Sequence, residues 1–359
     1  MTNNSKSDPT DWLTVTDEGL YVVPGDFYVD PQRGVDRAVI THGHADHARP
    51  KNKDVWATPA TIEIMKTRYG KAAGEKFHPI DFHETVEIGQ VAVGFYPAGH
   101  VLGSAQISLD YGGTRVVVSG DFKRSHDPTC TPFEHVPNTD VFITEATFGL
   151  PVFNHPDPRG EMDKLLASIK RYPTRCHLIG AYGLGKGQRV IKMMRDAGYD
   201  DPIYLHGALW KLCQLYEELG VKLGKLEKAT IRGRNKSFYE GTVVMGPPSA
   251  TRAKWARRFP DPVLTFASGW MTVRQRARQK NVELPLIISD HADWPALIQT
   301  LNELEPDQVW VTHGREDALV HWANQRGFKA SALRLVGYGE EGEDINDVPP
   351  GEESESEAA

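Results

Sequence analysis

Thr41-His42-Gly43-His44-Ala45-Asp46-His47 follows the apolar run Arg37 to Ile40, so three histidines and a carboxylate leave the end of an expected strand within six residues. Alternate residues of a strand face the same side, which pairs His42 with His44. A turn into Asp46 and His47 then presents a second ligand set. Imidazole with carboxylate and without cysteine suits Zn, Mn or Fe. A lone histidine is ordinarily structural; H-x-H-x-D-H after a strand is a metal-site pattern.

Outward from this segment, residues 19–148 read as short β-branched runs broken by Gly, Pro and Asp, with a helix near Ala60 to Tyr69. Tyr111-Gly112-Gly113-Thr114 between two alternating runs is a hairpin signal. From about Pro151 helical segments alternate with short apolar strands: Arg159 to Arg171, Cys176 to Ala181, Lys186 to Ala197, Pro202 to Leu205 and Ala208 to Leu219. Such alternation predicts a small α/β domain with parallel strands. Near Leu284 the chain returns to a strand (LPLIISD), a helix over Trp294 to Leu304 and a strand over Asp307 to Thr312. There is no internal repeat.

The 359 residues predict about two domains. No run approaches the roughly 18 apolar residues of a membrane span, and Met1 to Asp11 is polar. Three separated cysteines, Cys130, Cys176 and Cys213, suit a reducing compartment, so the expectation is a cytoplasmic protein without a membrane. The formal charge of −7 hides a segregation: nine acids and no base lie in 340–359, which leaves +2 for residues 1–339. That tail has too little apolar content to order itself and is expected to be disordered. Lys222 to Lys280 holds fourteen basic residues against Glu227, Glu240 and Asp261, a net +11.

The histidine motif resembles the signature of the metallo-β-lactamase superfamily. The resemblance implies further ligands after later strands, and His100 (in PAGHVLGS), Asp121 (in VSGDF) and His313 (in VWVTHG) match them. It implies one metal held by His42, His44 and His100, and a second by Asp46, His47 and His313. Asp121 bridges the two, with Asp30 supporting the ligands from behind. Ile143 to Phe148 (ITEATF) resembles motif A of the β-CASP nucleases, and Ser289-Asp290-His291-Ala292-Asp293 their motif B, with His313 as motif C. Tyr182 to Gln188 resembles the start of a helix in the inserted β-CASP domain. The texts PAGHVLGSAQI and ISDHADW are most similar to the bacterial ligase-associated DNA exonucleases. His313 at motif C instead resembles the RNA-processing branch.

The fold implied is α/β: a metallo-β-lactamase αββα sandwich in two segments, 12–150 and 285–339, around an inserted β-CASP α/β domain at 151–284. The function implied is DNA exonuclease action in repair, on single strands and 5′ to 3′, with two divalent ions (Zn or Mn). The partners implied are DNA, single-stranded or with a free end, and a DNA ligase and helicase. A ribonuclease of the same fold is the alternative, and a small-molecule hydrolase a weaker third.

Paired metals suit phosphodiester hydrolysis. His291 is the candidate proton donor to the departing oxygen, or a contact to the scissile phosphate, with Glu145 orienting its ring; Asp46 completes the catalytic candidates. Nucleic-acid affinity rests on cations facing phosphates and on rings that stack on bases. Candidates are Lys123, Arg124, Arg274 and Arg276, with Trp270. Ser268-Gly269-Trp270 resembles a segment that helps form a terminal 5′-phosphate pocket in Artemis-type exonucleases. Arg274, Arg276 and Arg278 share one face of a strand or spread around a helix. Gly180 to Lys186 fits G-x-x-x-x-G-K, but Gly187 replaces the required Ser or Thr, which argues against a nucleotide loop.

Overall fold

Val116, Val117 and Val118 are consecutive and all buried, and they divide between two different cores. That two-residue alternation organises the larger part of the computed structural model, which describes residues 6–230, 236–333 and 335. The acidic segment 340–359, and Arg232 and Arg234 of the basic region, lie outside the described residues.

The chain divides into two compact units, with change-overs at Asn154/His155 and Asp290/His291. In the first unit, six strands between Leu13 and Pro79 form one mixed sheet. The second sheet has the order Lys329–Ala332, Gln308–Gly314, Val141–Ala146, Thr114–Val118, Ala105–Tyr111, Val91–Pro97, Thr85–Ile88. Leu20, Val22, Phe27 and Val39 of the first sheet meet Val93, Phe95, Ile107, Val116, Val118 and Ile143 of the second in one core. On the outer face of the first sheet, Ile62 and Met65 of the helix Pro59–Tyr69 cover Ala38, Val55 and Ala57. On the outer face of the second, Leu297 and Leu301 of Trp294–Leu304 and Leu319 of Glu316–Gln325 cover Val117, Phe142 and Val311. The layers are helix, sheet, sheet, helix, each apolar stripe buried against the next. This layering is consistent with the expected αββα sandwich.

Two local devices shape this unit. The expected hairpin joins Ala105–Tyr111 to Thr114–Val118, with Gly112 and Gly113 both at positive φ (56° and 79°), as a tight two-residue turn requires. Val141–Ala146 pairs in parallel with Gln308–Gly314 across a long sequence gap, with a register irregularity between Thr144 and Ala146.

The second unit, His155–Asp290, is a six-stranded parallel sheet with the order Leu226–Lys228, Ile203–Leu205, Val243–Gly246, His177–Gly180, Val263–Ala267, Leu284–Leu286. Its central strands are buried at every position, as a sheet covered on both faces demands. Helices Pro158–Arg171, Lys186–Asp196 and Gly207–Glu218 match the expected ones within a residue or so at most ends. The strand expected over LPLIISD stops at Leu286. Arg274–Gln279 forms a short helix, so Arg274, Arg276 and Arg278 spread around it rather than sharing a strand face.

Candidate metal centre

The strand Arg37–Val39 ends before the motif, so His42, His44, Asp46 and His47 sit on the loop that follows it. Hydrogen bonds rather than strand alternation orient His42 and His47, which corrects the expectation of a strand-end pair. Asp30, at φ 46°, anchors that loop: Oδ1 accepts the Thr41 N–H at 2.8 Å, and Oδ2 accepts the Thr41 hydroxyl at 2.6 Å. The same Oδ2 accepts His47 Nδ1–H at 2.8 Å. With its proton given to Asp30, Thr41 Oγ1 accepts His42 Nδ1–H at 3.0 Å. One carboxylate therefore turns Nε2 of both His42 and His47 toward Asp121, at 3.5 and 3.4 Å from Oδ2. Thr41 carries no signal in the sequence beyond its place beside His42.

His100 is positioned by its own turn: Ser104 Oγ accepts the N–H groups of His100 and Val101 at 3.0 and 3.2 Å. His44 Nδ1 lies 3.1 Å from His42 Nε2 and 2.9 Å from His100 Nε2, and His100 Nε2 is 3.7 Å from Asp121. His42, His44, His100 and Asp121 thus offer ligand atoms all within 4.8 Å of one another. Unprotonated ring nitrogens facing one another repel unless a proton or a cation lies between them. Burial, then the rings of His47 and His100, hold His42 well below its ordinary pKa and disfavour the proton. A divalent cation fits this donor set.

The second expected set is looser. His47 Nε2 lies 3.8 Å from Asp46 Oδ2, and the His47 and His313 rings stack at 5.2 Å. His313, at φ 58°, is pushed down to about 4 by burial, with His47 adding. Burial opposes a charge on His47, but Asp121, Asp46 and Asp30 outweigh it and hold its pKa well above the ordinary value. Burial likewise opposes charge on Asp121, yet His47, His291 and His42 keep its carboxyl well below the usual range.

A further group, Asp121, Glu145 and His291, also has metal-ligand spacing. Glu145 Oε2 accepts His291 Nδ1–H at 2.9 Å, and Oε1 accepts the Phe122 N–H at 2.8 Å. Ala292 N–H closes the loop onto Phe122 O at 2.6 Å. Glu145 lies inside the register irregularity and His313 stands beside it on the paired strand, where a bulge re-aims side chains. Burial, and then Asp121 against the opposing His291, raise the Glu145 carboxyl.

No family model matches the chain. It is 26% identical over 340 residues to a probable DNA ligase of Opitutus terrae, covering 90% of this chain and 31% of that one. It is 30% identical over 233 residues to cleavage and polyadenylation specificity factor subunit 3-I of Arabidopsis thaliana, covering 54% and 33%. An RNase J-like protein of Methanocaldococcus jannaschii is 26% identical over 211 residues, covering 51% and 50%. The chain spans 31% to 50% of these relatives' own lengths. In fold, it resembles a protein of unknown function from Enterococcus faecalis with a TM-score of 0.55 at 12% identity, over 84% of this chain and 80% of that one. Relatives and metal-type clusters together support the metallo-β-lactamase superfamily.

The expected nucleic-acid contacts fare unevenly. Lys123 is 1% exposed and its Nζ bonds Asp127 at 2.5 Å, which corrects its assignment as a phosphate contact: the charge is buried and already matched. Arg124 bonds Thr300 Oγ1 at 3.1 Å and pairs with Glu303 at 2.6 Å. In the second unit Ser268 is buried and caps Trp270 N–H, and Trp270 is itself buried beneath Arg276. Arg274 is exposed. Lys186 lies 3.5 Å from Asp290 Oδ2, so its charge is partnered within the unit, in keeping with the argument against a nucleotide loop. Among the described residues no helix is long and apolar enough to cross a membrane.

Proposed function

We propose that the protein is a metal-dependent nuclease that hydrolyses phosphodiester bonds, with the second unit as an inserted β-CASP domain. The observation that carries this reading is the burial of three imidazoles, His42, His47 and His100, around Asp121, with the Glu145–His291 pair alongside. His42, His44 and His100 would hold one divalent ion and Asp46, His47 and His313 the other, with Asp121 common to both. Such ions would polarise the phosphoryl group and lower the pKa of water.

The protein's own groups supply the rest. Glu145 fixes the Nδ1–H tautomer of His291, which leaves Nε2 as the atom that serves the leaving oxygen or the scissile phosphate. Asp30 and Thr41 hold His42 and His47 in the ligand tautomer. A small-molecule hydrolase would have no use for the +11 segment.

RNA is the substrate that the relatives' names back better, since they include an RNase J-like protein and the endoribonuclease YSH1 of Yarrowia lipolytica. DNA, with a ligase partner, is the second reading. It is favoured by one observation, the alignment with a probable DNA ligase along 90% of the chain. The deciding experiment is a metal-titrated digest of matched RNA and DNA strands, single and double, labelled at either end. Metal-dependent shortening of RNA alone supports the first reading and of DNA alone the second; the label lost first gives polarity. No metal-dependent cleavage of either would sink both.

A further inference from the structure

The eight cations Arg252, Lys254, Arg257, Arg258, Arg274, Arg276, Arg278 and Lys280 lie in two segments that leave the parallel sheet of the second unit. One follows the strand Val243–Gly246, the other Val263–Ala267. In the sheet those strands flank His177–Gly180, and the chain crosses from one side of it to the other between them. A crossing of this kind at the carboxyl ends of parallel strands is where open α/β sheets take ligands.

Three observations fix the cations to that edge. A side chain at Gly180, the last residue of the central strand, would meet both Phe266 and Thr251 at 3.2 Å, so Arg252 enters beside this strand end. Lys280 Nζ lies 4.8 Å from the Phe266 ring centre. The Arg276 guanidinium covers Trp270 at 3.9 Å. Burial, then Arg252 and Arg276, push the Lys280 pKa down, which marks the three as near neighbours of like charge.

The nearby acids are committed elsewhere. Asp261 and Glu283 both pair with Arg175, and Asp290 pairs with Lys186 and Arg189. Among the described residues none of the eight cations has a salt bridge. The ring beside these cations is closed as well: Trp270 is 8% exposed and capped by Arg276, while the half-buried Trp255 makes T-shaped contacts with His206 and Phe259.

We propose that Arg252, Arg276 and Lys280 form a site on the carboxyl edge of this sheet that binds the sugar-phosphate backbone of a nucleic acid strand without reading its bases. The proposal rests on the nuclease reading for the identity of the polyanion. It replaces the sequence expectation of stacking on Trp270, whose ring is buried beneath Arg276. Affinity is therefore set by phosphate number and salt, not by base identity.

The test uses the full chain stripped of metal, with anisotropy of a labelled 20-nucleotide single strand and of its abasic counterpart across a salt series. The abasic strand is expected to bind within about threefold of the normal one. The variant R252Q/R276Q/K280Q is expected to lower the salt slope by about 2, at roughly 0.7 for each phosphate that is no longer neutralised. The charge-conserving R252K/R276K/K280R is expected to keep the slope, and thermal melting of both variants checks folding. A tenfold or greater weakening of abasic binding, or an unchanged slope in a folded glutamine variant, would overturn the site. Cleavage by the metal-loaded wild type is scored separately. Its absence overturns the nuclease reading and leaves the binding result standing.

Discussion

The two units differ in the charge that they leave unmatched. The first buries its titratable groups: His42, His47, His100, Asp121, Glu145 and His291 all have less than a tenth of their surface exposed, and each is turned by a hydrogen bond or a facing ligand atom. The second also buries one matched group, Lys186 and Arg189 with Asp290, but leaves the eight cations between Arg252 and Lys280 without acidic partners. Buried opposed charges fix geometry and pKa values, whereas unpaired surface cations supply affinity that salt can screen. On the proposed reading the contrast separates chemistry from substrate capture, and it can be broken in either unit independently.

The largest expected effect is at Asp121, which faces both histidine sets. Asp121→Ala should lose bound metal, read by mass spectrometry of the dialysed protein, and reduce cleavage by about three orders of magnitude or more. Metal retained at wild-type levels would break the assignment of Asp121 as the shared ligand. Glu145→Gln comes next. It should lower kcat by roughly 10² to 10⁴ with KM little changed, because it disturbs His291 while the His42, His44, His100 set stays complete. An equal loss through KM would move Glu145 from chemistry to binding.

Lys123 offers a test of the same contrast through stability. Its ion pair with Asp127 is buried, so Lys123→Met should cost on the order of 3 to 5 kcal/mol in denaturant unfolding, and leave the salt slope of strand binding unchanged. A lower slope would restore it as a phosphate contact. The smallest effect concerns His177 in the second unit, held down to about 4 chiefly by burial. Its unfolded value is near 6.5, so between about pH 4 and 6.5 the unfolded chain binds more protons and stability rises with pH. His177→Phe should flatten that rise by the share of one group. A slope identical to wild type would show that another histidine dominates.

The hairpin at Gly112-Gly113 and most helices were legible because they depend on neighbours in sequence: a turn needing positive φ, or a 3.6-residue apolar period. The histidine motif was legible because its residue types have few other uses in that density. Thr41 was not, because its role depends on Asp30 eleven residues earlier. Nor was the fate of Lys123 or Trp270, whose burial depends on Asp127 and Arg276 taking up their exposed sides.

By itself the sequence determined the donor inventory, the order of strands and helices, and the segregation of charge, since these follow from local pattern and composition. Only the tertiary structure decided which nitrogen of each histidine faces Asp121, that Glu145 and His313 stand at one irregularity between paired strands, and which cations keep their charge unmatched. Those outcomes depend on hydrogen bonds and packing between residues far apart in the chain. No local pattern encodes them.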